Sequence, residues 1–264
     1  MSISYCFGAV DGKHIAIVKP KKSGSTYHNY KGFFSIVLLG LVDAHYRFTF
    51  ADIGCQGRIS DGGVLRNTSF FTDLINDTLP LPPDRQLPNL NPDPLLSHCS
   101  NSQTMPLVFV ADDAFTLTGN CMKPYPQKGL TESRRIYNYR LSRARNPVEN
   151  AFGILVQRFR SLKGTLQVEV DSAIRIALCA CLLHNMLCTF SASSYAPHGF
   201  ADEINDDGQI IPGEWRQEGN TMVPLEPTQI RNCKLNAKEV RKSFRDYFEN
   251  RGSIPWQCSY SNIL

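Results

Sequence analysis

A chain of 264 residues with 42% hydrophobic and 20% charged content has enough length for one well-filled core with an appendage. It is too apolar for a disordered chain. The net charge of +4 is mild, so bulk charge gives no argument for nucleic acid and only local asymmetry can. Nine scattered cysteines, an odd count without a CxxC pair, exclude a disulfide framework and a zinc ribbon, and read as reduced thiols of an intracellular protein.

The stretch YCFGAVDGKHIAIV at 5–18 holds two apolar runs broken at Asp11-Gly12, which fits two strands with a turn or one strand with a bulge. Either way Asp11 is expected where a strand stops being buried. KPKKSGSTYHNYKG at 19–32 is a basic surface loop. FFSIVLLGLVDAHYRFTFADIG at 33–54 gives two strong strands reversing at Asp43-Ala44-His45, so the chain opens as an antiparallel meander. FFSIVLLGLV is also the longest apolar run, well short of the roughly 18 to 20 residues of a membrane span. No membrane partner and no signal peptide are expected.

Ser60 and Asp61 are candidate caps of a helix over 57–77. A proline-rich loop follows at 78–106, and LVFVADDAF at 107–115 reads as a buried strand ending in Asp112-Asp113. Two acids at such an end are costly unless paired or metal-bound. The segment SRRIYNYRLSRARNPVENAFGILVQRFRSLK at 133–163 is dense in arginine, with Glu149 its one acid. Pro147 marks the expected start of a helix, which puts Glu149 in the first turn, where on its own it reads as a dipole-favoured acid paired with a nearby arginine. VDSAIRIALCACLLHNML at 170–187 is a helix packed under the sheet, with His184 a hydrogen-bonded core residue. A polar segment at 191–235 is expected to be extended or flexible, and 236–264 to carry a last helix and tail, leaving 1–190 as the folded domain.

This order suits an α/β fold in which Asp11 and Asp112 lie at neighbouring strand ends while Glu149 approaches from a helix. Three carboxylates there repel unless a cation intervenes, and such an oxygen set suits Mg²⁺ or Mn²⁺. Two ions could serve an in-line phosphodiester displacement, with the arginines holding phosphates. A paired-carboxylate glycosidase is the rival class, but it explains neither the third acid nor the arginines.

The motifs FGAVDGKHIAI, YKGFFSIVLLGLVDA, GRISDGGV, VADDAF and SRARNPVENAFGILVQRFR resemble, in order, the catalytic region of PIF/Harbinger transposases and the harbinger transposase-derived nucleases. The likeness covers about residues 7–188 and returns in the last helix. It implies a ribonuclease H-like mixed sheet flanked by helices with a C-terminal extension, and a DDE site of Asp11, Asp112 and Glu149, with Asp113 the less apt second acid. Asp61 also matches a family motif without a metal role. DNA is the implied substrate, with Arg134, Arg135, Arg140, Arg143 and Arg145 expected on its phosphates, and the nucleus the implied location. Relatives carry an N-terminal helical region that this sequence does not show, and work with a separate Myb-like DNA-binding protein. Self-association is a further expectation. The alternative function is a catalytically silent DNA- or protein-binding module that keeps the fold.

Overall fold

The structure, a computed structural model, describes residues 6–59, 68–75, 78–90, 104–205, 208–217, 222–225 and 235–257. Ser60 and Asp61, and with them the expected start of the first helix, lie outside these. The meander is present: β1 (Cys6–Ala16), β2 (Ser35–Val42) and β3 (Phe48–Gln56) pair antiparallel in sequence order. The first apolar stretch forms one strand, and the Asp-Gly pair lies inside it. Asp11 stands opposite Gly40 of β2 and is 3% exposed, so it sits mid-strand instead of at an end. Asp-Gly makes no turn here because the β2 ladder runs unbroken from Ala9 to Ala16 and backbone pairing outweighs local turn chemistry.

After α1 (Ser69–Ile75) come a short pair, β4 (Arg85–Gln86) with β5 (Thr104–Met105), and then β6 (Val108–Val110) and β7 (Cys121–Met122). β6 lies parallel to both β1 and β7, giving a mixed sheet in the order β3-β2-β1-β6-β7. Every residue of β2 is buried, as a central strand covered on both faces requires.

The long helix α2 spans Glu132–Arg158 with Pro147 inside it. The proline therefore does not start the helix, and Glu149 lies deep in its interior. A mid-helix proline removes one backbone bond and costs about 3 kcal/mol. Here buried residues on both sides of it, Ile136, Tyr137, Leu141 and Ala144 before and Val148, Phe152, Leu155 and Val156 after, hold one continuous helix against the sheet. α3 (Val170–Phe190) follows, then a hairpin of β8 (Glu203–Ile204) with β9 (Ile210–Ile211), β10 (Val223–Pro224), and α4 (Leu235–Glu249).

Strand alternation divides the sheet into two faces. Ala9, Ile15, Val108 and Val110 face the larger core with α2, α3 and α4, whereas Val10, Phe109 and Ala111 face a smaller one with Leu74 of α1. In α3, Ala173, Ala177, Ala180, Cys181 and His184 turn inward. His184 bonds the Tyr46 carbonyl and the Tyr195 hydroxyl, as a core histidine should. The opposite side of α3 exposes Leu178, Leu182, Leu183, Met186 and Phe190. By length and mean hydropathy of 1.7 this helix could cross a membrane, although polar Asn185 breaks its apolar run; the Asn185 side chain bonds both the N–H and the carbonyl of Phe48 in β3.

Of the segment expected to be flexible, Tyr195, Asp202, Trp215, Met222 and Leu225 are buried. β10 pairs with β1 at Lys13 and His14, beyond the point where the β6 pairing ends. Six described cysteines are free thiols.

Candidate active site

The last registered pair between β1 and β6 is Ala9 with Val110. Two residues further along come Asp11, still within β1, and Asp112, just past the end of β6; two steps restore the same side of a strand, so Asp11 shares the face of Ala9 that α2 covers. Their proximity is felt electrostatically. Asp112 is pushed up from 3.8 to about 6, first by burial and then by the charge of Asp11, while Arg145 draws it down. The Ala114 N–H donates to Asp112 Oδ1 at 3.0 Å and fixes its direction. Asp113 is exposed, so the strand end singles out Asp112 as the inward acid.

Asp11 is closed in. Its Oδ1 accepts the Gly12 N–H at 2.8 Å, and Lys13 Nζ lies 2.9 Å from Oδ2. That ion pair is not aligned as a hydrogen bond, and Oδ2 is buried without a hydrogen-bonding partner. Lys13 also sits 5.9 Å from the ring centre of Phe152 on α2. One turn before Phe152, Glu149 meets two cations: Arg145 Nη2 at 3.6 Å on Oε1 and Arg216 Nη2 at 3.3 Å on Oε2. The expected pairing of Glu149 with a neighbouring arginine is present. Among the described residues no three His, Cys, Asp or Glu gather tightly enough to hold a metal ion, and Lys13, Arg145 and Arg216 are paired with Asp11 and Glu149.

The basic residues of α2 divide by side. Arg140 is buried, donating to the Gly252 carbonyl at 3.1 Å over the ring of Phe248. Arg143 is buried too, bonded to the Tyr139 hydroxyl at 2.7 Å and to the Gly208 carbonyl. A phosphate could reach neither without breaking these contacts. Arg134, Arg135 and Arg145 are half-buried, with Arg134 over the Tyr125 ring.

Sequence reasoning did not find Lys13, Asp202, Trp215 and Arg216. Asp202, whose side chain is fully buried, takes Arg216 Nε on Oδ1 at 2.8 Å and Nη2 on Oδ2 at 2.5 Å. The signal available for the last three was a single tryptophan in the polar run GEWRQ, an aromatic residue where nothing else called for a core.

Residues 10–185, more than half of the chain, match the family described as DDE superfamily endonuclease. The chain belongs to this family. Two similar proteins agree: Protein ALP1-like of Arabidopsis thaliana, 26% identical over 191 residues covering 69% of this chain and 43% of that one, and Putative nuclease HARBI1 of Rattus norvegicus, 26% identical over 184 residues covering 68% and 45%. The likeness to harbinger transposase-derived nucleases thus holds. The chain spans less than half the length of these curated relatives, and no solved structure matches it. The match begins at the residue before Asp11 and ends just after His184, so all three acids lie within the DDE endonuclease region, whereas Asp202, Trp215 and Arg216 lie outside it.

DDE endonucleases generally use divalent metals, and the residues can be tested for that. Asp11 and Asp112 fit: a buried carboxylate oxygen lacks a hydrogen-bond partner, and the second carboxyl is raised, first by burial and then by the charge of the first, a strain that a nearby cation would relieve. With Asp202 included, four carboxylates face the three cations Lys13, Arg145 and Arg216. Glu149 does not gather with them among the described residues; its carboxylate is held by Arg145 and Arg216.

Proposed function

We propose that this chain is the catalytic region of a divalent-metal-dependent DNA nuclease or transposase on a ribonuclease H-like sheet. The observation that carries the reading is the closeness of Asp112, two residues past the end of β6, to Asp11 on the neighbouring parallel strand, near enough for the Asp11 charge to help raise its carboxyl, beneath the helix bearing Glu149. In this reading Asp11, Asp112 and Glu149 hold Mg²⁺ or Mn²⁺, two ions in the full site. When bound, such ions lower the pKa of water and stabilise the leaving oxygen of a phosphodiester. Strand cleavage, and transfer of the freed 3′-hydroxyl to a second strand, are the proposed reactions.

The chain's own residues perform the remaining work. The Gly12 and Ala114 N–H groups aim Asp11 and Asp112. Lys13 compensates Asp11 and offers a cation to a phosphate, and Phe152 keeps water from its stem. Arg134, Arg135 and Arg145 are the members of the basic set positioned for phosphates, which orient a duplex without reading its sequence. A separate Myb-like DNA-binding protein, self-association and nuclear residence belong to the same proposal.

One observation favours a second reading, a silent binding module: every acid already has a cationic neighbour within 3.6 Å or a raised affinity for its proton. Plasmid nicking in Mn²⁺ separates the two. The nuclease reading expects nicking that is abolished by chelation and by Asp11→Asn or Glu149→Gln in variants that melt like the parent. Nicking that survives all of these would end it.

A further inference from the structure

The cavity beside Glu149 contains a cation held more firmly than pairing with that acid requires. The cavity has a volume of about 410 Å³ and is lined by Lys13, Glu149, Trp215, Arg216, Met222 and Pro224. Arg216 arrives on a segment past the last residue of the family match. One edge of its guanidinium, Nε and Nη2, rests on the fully buried carboxylate of Asp202, at 2.8 and 2.5 Å, and its Cζ lies 4.3 Å from the centre of the Trp215 ring. That base is itself anchored. The Trp215 indole N–H and the Asp202 N–H both donate to Asn150 Oδ1, at 2.7 and 3.0 Å, and Asn150 reaches back to Asn146 at 3.1 Å.

A planar guanidinium fixed in this way loses little entropy on meeting an anion, and its fork suits phosphate oxygens. The anion it now meets is Glu149, at 3.3 Å, the longest of its three carboxylate contacts. Arg216 is 39% exposed and Glu149 37%, so solvent and substrate reach both. Lys13 supplies a second cation on the same wall, and β10, paired to β1 at Lys13, closes one side.

We propose that Arg216, with Lys13, forms a phosphodiester-binding site, in which a phosphate of a nucleic-acid backbone replaces the Glu149 carboxylate on Arg216 and frees that acid to turn toward Asp11 and Asp112. The release of Glu149 rests on the reading of the three acids as metal ligands; the phosphate site does not. Arg216 is a binding residue in this scheme, and Asp202 and Trp215 position it.

Two titrations test it. The first follows binding of a short fluorescent DNA duplex by anisotropy across a salt series in EDTA, for the parent, Arg216→Lys, Arg216→Gln and the double variant Asp202→Asn/Arg216→Gln. The double variant removes the carboxylate that a lone Arg216→Gln would strand, so it keeps the test valid if the single variant fails to fold. Loss of one phosphate contact should weaken binding several-fold and lower the salt slope by about 1. Arg216→Lys should keep the slope while binding more weakly. The second titration is calorimetric, with Mn²⁺ and no DNA: removing the guanidinium should tighten Mn²⁺ binding, since Glu149 loses a competitor. A folded double variant with unchanged affinity and slope would overturn the phosphate site. Weaker Mn²⁺ binding in Arg216→Gln with unaltered DNA binding would also overturn it, leaving Arg216 a brace for Glu149. A parent chain that binds no Mn²⁺ would sink the nuclease reading separately, and the salt slope alone would then decide the phosphate site.

Discussion

Among the described residues, three groups with large shifts titrate between about pH 4 and 6.5. His14, bonded to Ser35 Oγ between Tyr30 and Phe33, and His184, bonded to Tyr46 and Tyr195, are each pushed down from 6.5 to about 4, chiefly by burial. The unfolded chain binds more protons at these sites between those values, so their contribution is present above about pH 6.5 and is lost as pH falls toward 4. Asp112 runs the other way. Its carboxyl is raised to about 6, so its contribution is present at low pH and is lost as pH rises from about 4 through 6. Of these three groups, the two imidazoles outweigh the one carboxyl shifted by a similar amount, and together they should make the metal-free chain lose stability on acidification below about pH 6.5. Asp112→Asn removes the opposing group; its melting temperature at pH 7.5 without metal should exceed the parent's, and its acid loss should be steeper, both readable in thermal melts across pH. A variant that melts below the parent at pH 7.5 would count against the repulsion between Asp11 and Asp112. His184 could be read from sequence as a core residue because its neighbours are apolar. The inward turn of Arg140 and Arg143 could not, since their acceptors are the carbonyls of Gly252 and Gly208, supplied from far along the chain.

The elements that carry the acids were legible to different degrees. β2 and β3 announce themselves by β-branched and aromatic runs around a three-residue reversal, and Val-Phe-Val before Asp112 is too short and apolar for anything but a buried strand. α2 misled at Pro147, because a local helix-start preference was outweighed by burial on both sides of the residue. Phe152, fully buried against Phe48 at 5.3 Å and over Lys13, is central to that burial. Phe152→Ala should cost about 3–5 kcal/mol in denaturant titration. Gly153, the next residue, lies against the Trp215 indole, where a β-carbon would overlap the ring. Gly153→Ala should therefore dislodge the Trp215–Arg216 segment at a cost of about 1–3 kcal/mol, seen as lower stability with a red-shifted tryptophan emission. An unchanged spectrum would place Trp215 elsewhere. This segment escaped the sequence reading because its order comes from scattered anchors, Tyr195, Trp215, Met222 and Leu225, without any periodicity to reveal them.

At the scale of the molecule, a mixed five-strand path carries Asp11 on its α2 face with Asp112 close by, and one long helix and one returning strap bring the remaining charges to them. The strap makes the candidate site larger than the family match, which stops before Asp202. α3 leaves an apolar row from Leu178 to Phe190 on the outside, although its composition alone reads as fully buried. The reason is that its inner face is built of small residues, Ala173, Ala177 and Ala180, which let the helix lie close to the sheet and push the leucines outward. The central claim is that Asp11 and Asp112 are poised for a divalent cation. Calorimetric titration with Mn²⁺ at pH 7.5, of the parent and of Asp112→Asn, tests it most directly. The account predicts saturable binding that weakens as pH drops through about 6, because Asp112 must give up its proton, and that is lost in the variant. Parent and variant binding Mn²⁺ equally, or a parent that binds none, would contradict it.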